Sequence, residues 1–366
     1  MARDRVVVAM SGGVDSSVAA ALLLEQGREV IGITMQLWSP EVSEIHDEGG
    51  CCSLSAVEDA RRVANRLGIP HYVASFHALF TQSVIADFVR EYARGRTPNP
   101  CVRCNQFVKF AALRRRAREL GADTIATGHY ACTGFDRATG RYLLRKGADP
   151  RKDQSYALYT LTQEQLAAAL FPLGDLSKGE TRRRAAALGL AVASRPDSQE
   201  ICFVPGRDYG EFLRHRAPEL AAPGPIVTRD GRVLGRHPGI AFFTTGQKRG
   251  LRLPLPYPLY VTEIHPETRT LVVGSEAELM ARACVVEDLN WVAIPDLAAP
   301  LEVTARVRYN MEEQAAVLHP LGGGRARLEF AEAQRAITPG QAAVFYRGDA
   351  VLGGGTVAGL AEPGSG

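Results

Sequence analysis

The run Ser11-Gly12-Gly13-Val14-Asp15-Ser16-Ser17 constrains this chain more than any other. It follows the β-branched stretch Arg5 to Met10 directly and opens an apolar helical stretch from Val18 to Leu24. A strand, a tight glycine turn and a helix start in immediate succession form an anion-binding arrangement. Gly12 and Gly13 let backbone N–H groups approach a phosphate, the helix start adds its dipole, and the serine hydroxyls add donors. Asp15 would repel bare phosphate, so its presence predicts a bound Mg2+. A Walker loop carries a lysine that reaches the β and γ phosphates, and this loop has none, which disfavours γ-phosphate transfer.

The surrounding pattern fits such a loop. Apolar runs at Arg5 to Met10, Val30 to Leu37, His71 to Phe76 and Thr124 to Thr127 alternate with helical spacing, as in a parallel α/β sheet. Ser55-Ala-Val-Glu58 and Ser177-Lys-Gly-Glu180 read as capping boxes, and Ala78 to Arg94 and Gln106 to Leu120 as helices. Beyond about Arg207, proline and glycine become frequent and short β-like runs take over, including a hairpin at Tyr260 to Ile264 and Thr270 to Val273. The runs from Leu301 to Gly353 predict a small all-β barrel or sandwich. The expectation from this pattern is an α/β protein whose first two hundred residues surround the loop, with a boundary near Arg207.

The length of 366 residues is ample for such domains without disulfide staples, and 46% hydrophobic with 23% charged residues is ordinary globular composition. No apolar run is long enough for a membrane helix, and no cleavable leader is evident, so a cytoplasmic chain is expected. Seven cysteines, among them Cys51-Cys52 and Cys101-Val-Arg-Cys104, then point to redox, sulfur or metal chemistry before structural bridges. Cys132 and Cys284 read as small buried apolar residues. The net charge of +3 is too mild to indicate nucleic-acid binding by itself. Its distribution is uneven, because Arg103, Lys109, Arg114, Arg115, Arg116 and Arg118 follow one another without an acid; a solvated helix face is the ordinary reading of such a run.

The loop pattern Ser-Gly-Gly-x-Asp-Ser resembles that of ATP-pyrophosphatases, which adenylate a substrate and release pyrophosphate. Thr97 to Asn105, Ala126 to Tyr130, Lys152 to Tyr156, Asp197 to Phe203, Gly239 to Gly250, Arg308-Tyr309 and Thr338 to Gln341 follow in order. Together they resemble the tRNA-specific 2-thiouridylase (MnmA) family across nearly the whole chain. That resemblance implies three parts that all grip a tRNA anticodon stem-loop: a PP-loop adenylating domain of the adenine-nucleotide alpha-hydrolase type over 1–206, a small central domain over 207–284 and a C-terminal β-barrel over 285–366. It implies that Ala9, Met10, Ser11, Gly12, Gly13, Val14, Asp15, Ser16, Met35 and Gly128 hold ATP. It places Asn99, Pro100, Cys101, His129, Lys152, Asp153, Gln154, Arg308, Tyr309 and Gln341 against tRNA.

The implied reaction replaces O2 of the wobble uridine with sulfur, in tRNAs for Lys, Glu and Gln. ATP adenylates the poor leaving oxygen, with Asp15 and Mg2+ stabilising the departing pyrophosphate. By resemblance, Cys202 carries a persulfide supplied by a cysteine desulfurase or sulfur-relay protein, and Cys104 releases the product through a transient disulfide with it. One form of the family has an aspartate where this chain has Cys101, which leaves the acid/base group at that position unassigned. Three thiolates, Cys101, Cys104 and Cys202, would also suffice for a [4Fe-4S] cluster with one open iron, so a persulfide relay and a cluster both stand as mechanisms. Another ATP-pyrophosphatase acting on tRNA, or a non-catalytic RNA-binding relative, are the alternative functions.

Overall fold

In the computed structural model, residues 4–37, 54–196, 201–204, 206 and 208–361 are described. Cys51, Cys52, the Asp197 to Glu200 part of the cysteine motif and the Gly-rich end after Ala361 lie outside them. The chain forms two units: residues 1–84, 101–205 and 349–351 make the first, and residues 85–100, 206–348 and 352–366 the second.

The first unit is built on a five-stranded parallel sheet of β1 (Arg5–Ala9), β2 (Glu29–Gln36), β3 (His71–Ser75), β4 (Thr124–Ala126) and the later β7 (Ala169–Leu170), ordered β3-β2-β1-β4-β7. The anticipated strands are found, each ending one residue earlier than expected, and β2 also begins one residue sooner. Val6, Val7 and Val8 are fully buried, as expected of a central parallel strand covered on both faces. The chain winds outward from β1 to β3 and then returns to lay β4 on the other side of β1. That reversal leaves a crevice at the carboxyl ends of β1 and β4, where open α/β sheets take their ligands.

Three helices supply much of one core. Val14–Glu25, Leu54–Leu67 and Lys178–Ala187 contribute Val18, Leu23, Ala60, Val63 and Ala185 to the cluster that also holds Val6 and Val8. The Leu54–Leu67 helix already includes Ser55, so Ser55 is not the boundary its sequence context indicates. The two longer helices foreseen downstream are interrupted by π-helical stretches at Thr81–Ile85 and Cys104–Ala112, a departure that periodicity does not reveal. A hairpin of β5 (Ala131–Asp136) and β6 (Arg141–Lys146) follows β4.

The second unit holds a four-stranded sheet of β8 (Gly224–Thr228), β9 (Val233–His237), β10 (Tyr260–His265) and β11 (Thr270–Gly274), in the order β10-β11-β8-β9. The β10–β11 hairpin is the predicted one. The helix Ala86–Ala93 belongs to this unit, with Tyr92 stacked on Tyr209 and Phe88 edge-on to Phe212.

The strands β12 (Met280–Trp291), β13 (Leu301–Arg306), β14 (Gln314–Gly322), β15 (Arg325–Arg335), β16 (Ala342–Arg347) and β17 (Ala350–Leu360) close into a barrel, because β17 pairs back onto β12. Glycine makes that seam: a Cβ on Gly353 would lie 2.4 Å from the Asn290 carbonyl oxygen. Cys284, Leu318, Leu328, Phe330 and Phe345 fill the interior. Among the described residues no helix is long and apolar enough to cross a membrane.

Candidate active site at the switch point of the parallel sheet

The Ser11–Ser17 loop sits at the carboxyl end of β1. Gly12 has φ +69°, and a Cβ there would lie 2.1 Å from the Ala56 carbonyl oxygen, so only glycine fits. Gly13 is the extended residue before the helix. The Ser16 hydroxyl accepts from the Ser11 N–H at 3.1 Å, and the Ser17 hydroxyl donates to the Gly13 carbonyl at 2.8 Å. The Arg195 guanidinium donates to the Gly12 carbonyl at 3.0 Å and pairs with Asp59. The turn is thereby held open at the N-terminus of a twelve-residue helix, where an anion meets backbone donors and the positive dipole end.

A lysine does reach this loop, from a part of the sequence where it was not sought. Lys178 Nζ donates to Asp15 Oδ1 at 2.7 Å and Oδ2 at 2.8 Å. It is the first residue of the helix capped by Ser177, whose capping box with Glu180 is present as predicted. That helix packs against the loop helix in one core, which brings its N-terminus to Asp15. The Tyr130 hydroxyl donates to Asp15 Oδ1 at 2.8 Å and lies 3.0 Å from Thr181 Oγ1. The Ser177-Lys-Gly-Glu180 signal marked the helix start, but nothing local linked its lysine to a phosphate loop 163 residues away.

The remaining predicted nucleotide residues lie on or just beyond strands of the same sheet. Gly128, just beyond β4, approaches so closely that a Cβ would stand 2.7 Å from the Ser16 nitrogen. Ala9 ends β1, and Met10 continues the ladder through its N–H to the Ile33 carbonyl at 2.8 Å. Met35 is half-buried on β2, in register with Ala74. One carboxylate, Asp15, with oxygens from a bound polyphosphate, is a donor set that fits Mg2+.

The cysteines occupy contrasting settings. Cys101 is exposed, Cys104 is buried at the start of the Cys104–Ala112 π-helix, and Cys202 is half-buried. The next residue, Asn105, anchors that start by donating to the Ala157 carbonyl at 2.9 Å. Phe203, beside Cys202, meets the Phe80 ring edge-on at 5.8 Å, and the His77–Phe80 helix packs against the π-helix that Cys104 begins. None of these three is in a disulfide. Among the described residues no three His, Cys, Asp or Glu side chains are gathered to hold a metal. Cys284 is buried as expected, whereas Cys132 is only half-buried, beside Asp175.

The predicted RNA-contacting residues divide between the units. In the first, His129 is buried between Phe110 and Phe171, 2.7 Å from Thr127 Oγ1. Burial, and then the nearby Lys109 charge, hold its pKa well below the ordinary value, so it is neutral and offers a phosphate no charge. The buried Asp153 carboxylate accepts from the Gly147 and Ser155 N–H groups at 3.1 Å and the Ser155 hydroxyl at 2.9 Å. Gln154 accepts from the Tyr130 N–H at 3.0 Å, while Lys152 is half-buried. In the second unit are Asn99, Pro100, Arg308, Tyr309 and Gln341. Arg308 donates to the Arg335 carbonyl at 2.7 Å, Gln341 donates to the Thr97 carbonyl at 3.0 Å, and Tyr309 is exposed. The basic helix is partly neutralised, with Arg114 and Arg118 both on Glu164 and Arg116 on Glu119.

A parallel sheet carrying a glycine loop at its switch point defines a nucleotide-binding α/β protein, here joined to a closed barrel. Residues 4–206 match the tRNA methyl transferase HUP domain, 210–275 the tRNA methyl transferase PRC-barrel domain, and 281–357 the aminomethyltransferase beta-barrel domain. The tRNA-specific 2-thiouridylase MnmA of Heliobacterium modesticaldum is 55% identical over 97% of this chain and 92% of its own length. Proteins of the same name from Symbiobacterium thermophilum and Moorella thermoacetica are each 54% identical, covering 96% and 97% of this chain and 92% and 100% of their own. The chain belongs to the tRNA-specific 2-thiouridylase family.

Proposed function

We propose that this protein is an ATP-dependent tRNA sulfurtransferase that converts the wobble uridine, position 34, to 2-thiouridine. The observation that carries the reading is the Ser11–Ser17 loop, closed by Gly128 and bearing the Asp15–Lys178 pair, in a chain of this family. Uridine O2 attacks the α-phosphorus of ATP, the bond to the bridging oxygen breaks, and pyrophosphate leaves with its electron pair. The loop N–H groups hold the polyphosphate during that step. Mg2+ on Asp15 supplies further charge neutralisation when bound.

The terminal sulfur of a Cys202 persulfide then attacks C2, and AMP leaves with the C–O electron pair. Cys104 thiolate attacks the Cys202 sulfur, releasing 2-thiouridine and forming a Cys104–Cys202 disulfide that an external thiol reduces. Cys202, half-buried rather than enclosed, suits delivery of sulfur by a cysteine desulfurase or relay protein. The tRNAs for Lys, Glu and Gln are the proposed substrates, the cytoplasm is the proposed compartment, and the divisions 1–206, 207–284 and 285–366 assign ATP chemistry to the first part and the grip on the anticodon stem-loop to all three.

The test is anaerobic metal-free protein with ATP, Mg2+, a persulfide donor and wobble-uridine tRNA, following pyrophosphate and 2-thiouridine separately. Pyrophosphate release should survive Cys104→Ser and Cys202→Ser while multiple-turnover thiolation is lost. No tRNA-dependent pyrophosphate release would overturn the reading in favour of a non-catalytic RNA-binding protein. Modification at another tRNA position would move it to a different ATP-pyrophosphatase. A requirement for about four irons per chain, lost with Cys101→Ser, would replace the persulfide relay by a [4Fe-4S] cluster.

A further inference from the structure

Arg195 stands 183 residues from Gly12 in sequence, yet its guanidinium donates to the Gly12 carbonyl at 3.0 Å. We propose that Arg195 is a positioning residue of the ATP site, which fixes the Gly12–Gly13 peptide in the orientation that turns the Gly13 N–H toward the polyphosphate. The inference rests on the reading above that this loop binds ATP, and deepens it. In a planar trans peptide the C=O and the following N–H point in opposite directions, so a donor that holds the Gly12 carbonyl aims the Gly13 N–H away from itself. Gly12 is left-handed at φ +69°, and Gly13 is extended at φ −93°, ψ 166°. Two adjacent glycines lack the Cβ atoms that would resist rotation of the peptide between them. A flip would present a carbonyl oxygen to the phosphates where an N–H should stand.

Arg195 is itself anchored at both its main chain and its side chain. Its N–H donates to the Val192 carbonyl at 3.0 Å, and its own carbonyl accepts from the Arg182 side chain at 3.4 Å, which ties it to the Lys178–Ala187 helix. Its guanidinium pairs with Asp59 on the Leu54–Leu67 helix, the two side chains being only 23% and 21% exposed. Asp59 lies three residues after Ala56, whose carbonyl oxygen walls the Gly12 turn. One helix face therefore supplies both that wall and the carboxylate that orients the guanidinium. Asp59 also meets Arg62 at 3.4 Å, but Arg62 is 66% exposed and hydrated, so Arg195 has the less screened claim on the carboxylate. With its charge answered by Asp59, Arg195 offers the loop a directed hydrogen bond to a carbonyl. As the bond between the α-phosphorus and the bridging oxygen breaks, the electron pair goes to pyrophosphate, and an N–H already aimed there meets the charge without reorganising.

The test removes the ion pair without changing the net charge. In the full chain, Arg195→Met/Asp59→Asn should weaken binding of pyrophosphate with Mg2+, measured by calorimetry, by about tenfold or more, the size expected for one hydrogen bond to a charged group. Affinity for tRNA in the absence of nucleotide should stay near wild type, which shows that the variant is folded. The salt dependence of pyrophosphate binding should also match wild type, because no charge facing the ligand is lost. Arg195→Lys, which keeps a donor for the Gly12 carbonyl, should retain most of the affinity. A fall in tRNA affinity in step with pyrophosphate affinity would make Arg195 a merely structural residue, and a shallower salt dependence would make it a direct phosphate ligand. Either result, or pyrophosphate binding as tight as in wild type, overturns the proposal. Wild-type protein that binds no pyrophosphate would overturn the ATP reading itself, which separates the two failures.

Discussion

Gly128 and Asp15 are packed so closely that a Cβ on Gly128 would lie 2.7 Å from the Asp15 carbonyl carbon and 2.9 Å from its Cβ. The end of β4 therefore buttresses the loop that follows β1, and the two neighbouring strands set the position of Asp15 together. Backbone cannot yield as a flexible side chain can, so Gly128→Ala must displace the loop. ATP affinity should fall at least about tenfold, with a stability loss of about 1–3 kcal/mol typical of overpacking. Calorimetric ATP binding beside a thermal melt checks both, and unchanged affinity would show that the loop position does not depend on this contact.

Tyr130→Phe removes the hydroxyl that donates to Asp15 while leaving the buried ring in place. The expected cost is about 1–2 kcal/mol, because the carboxylate loses one donor but keeps Lys178. The ATP KM should rise several-fold while the tRNA KM stays near wild type. A change confined to the tRNA KM would place Tyr130 in RNA binding instead.

The cysteines should separate by reactivity. Burial, reinforced by Asp175, pushes the Cys132 thiol up to about 11, and burial alone pushes Cys284 up to about 12. At about pH 8, on the order of one Cys132 in a thousand is thiolate, and fewer still at Cys284. Exposed Cys101 should therefore be alkylated by iodoacetamide well before either, as read by peptide mass spectrometry of the native protein. Early labelling of Cys284 would contradict its place in the barrel core.

His129, His71 and His237 all have pKa values lowered from 6.5, with burial the leading cause in each. The unfolded chain takes up these protons near pH 6.5 and the folded chain resists them. Their contribution to stability is full above that pH and is lost as the pH falls below it, by up to about 1.4 kcal/mol per pH unit for each histidine. His129→Gln should make the decline in urea stability between about pH 6.5 and pH 5.5 shallower. An unchanged slope would mean that His129 is protonated in the folded protein.

Legibility followed the range of the interactions. The Ser177 capping box was readable because its partners are three residues apart, and the buried Val6-Val7-Val8 strand because its composition alone demands cover on both faces. The π-helix beginning at Cys104 was not readable, since the residues that make it still show helical spacing. The basic run after Cys101 read as a solvated helix face, yet Glu164, distant in sequence, pairs with two of its arginines.

The sequence by itself determined the glycine turn, the strand before it and the helix after it, because each follows from the conformational freedom and hydrogen-bonding capacity of adjacent residues. It also determined the family, through ordered motifs along nearly the whole chain. Only the tertiary structure decided that Lys178 answers Asp15, that Gly128 must lack a side chain, and that His129 and Asp153 are buried. The physical reason is that charge neutralisation and close packing act through space. The partners that satisfy Asp15 are supplied by elements whose own sequences specify only a helix start and a strand end.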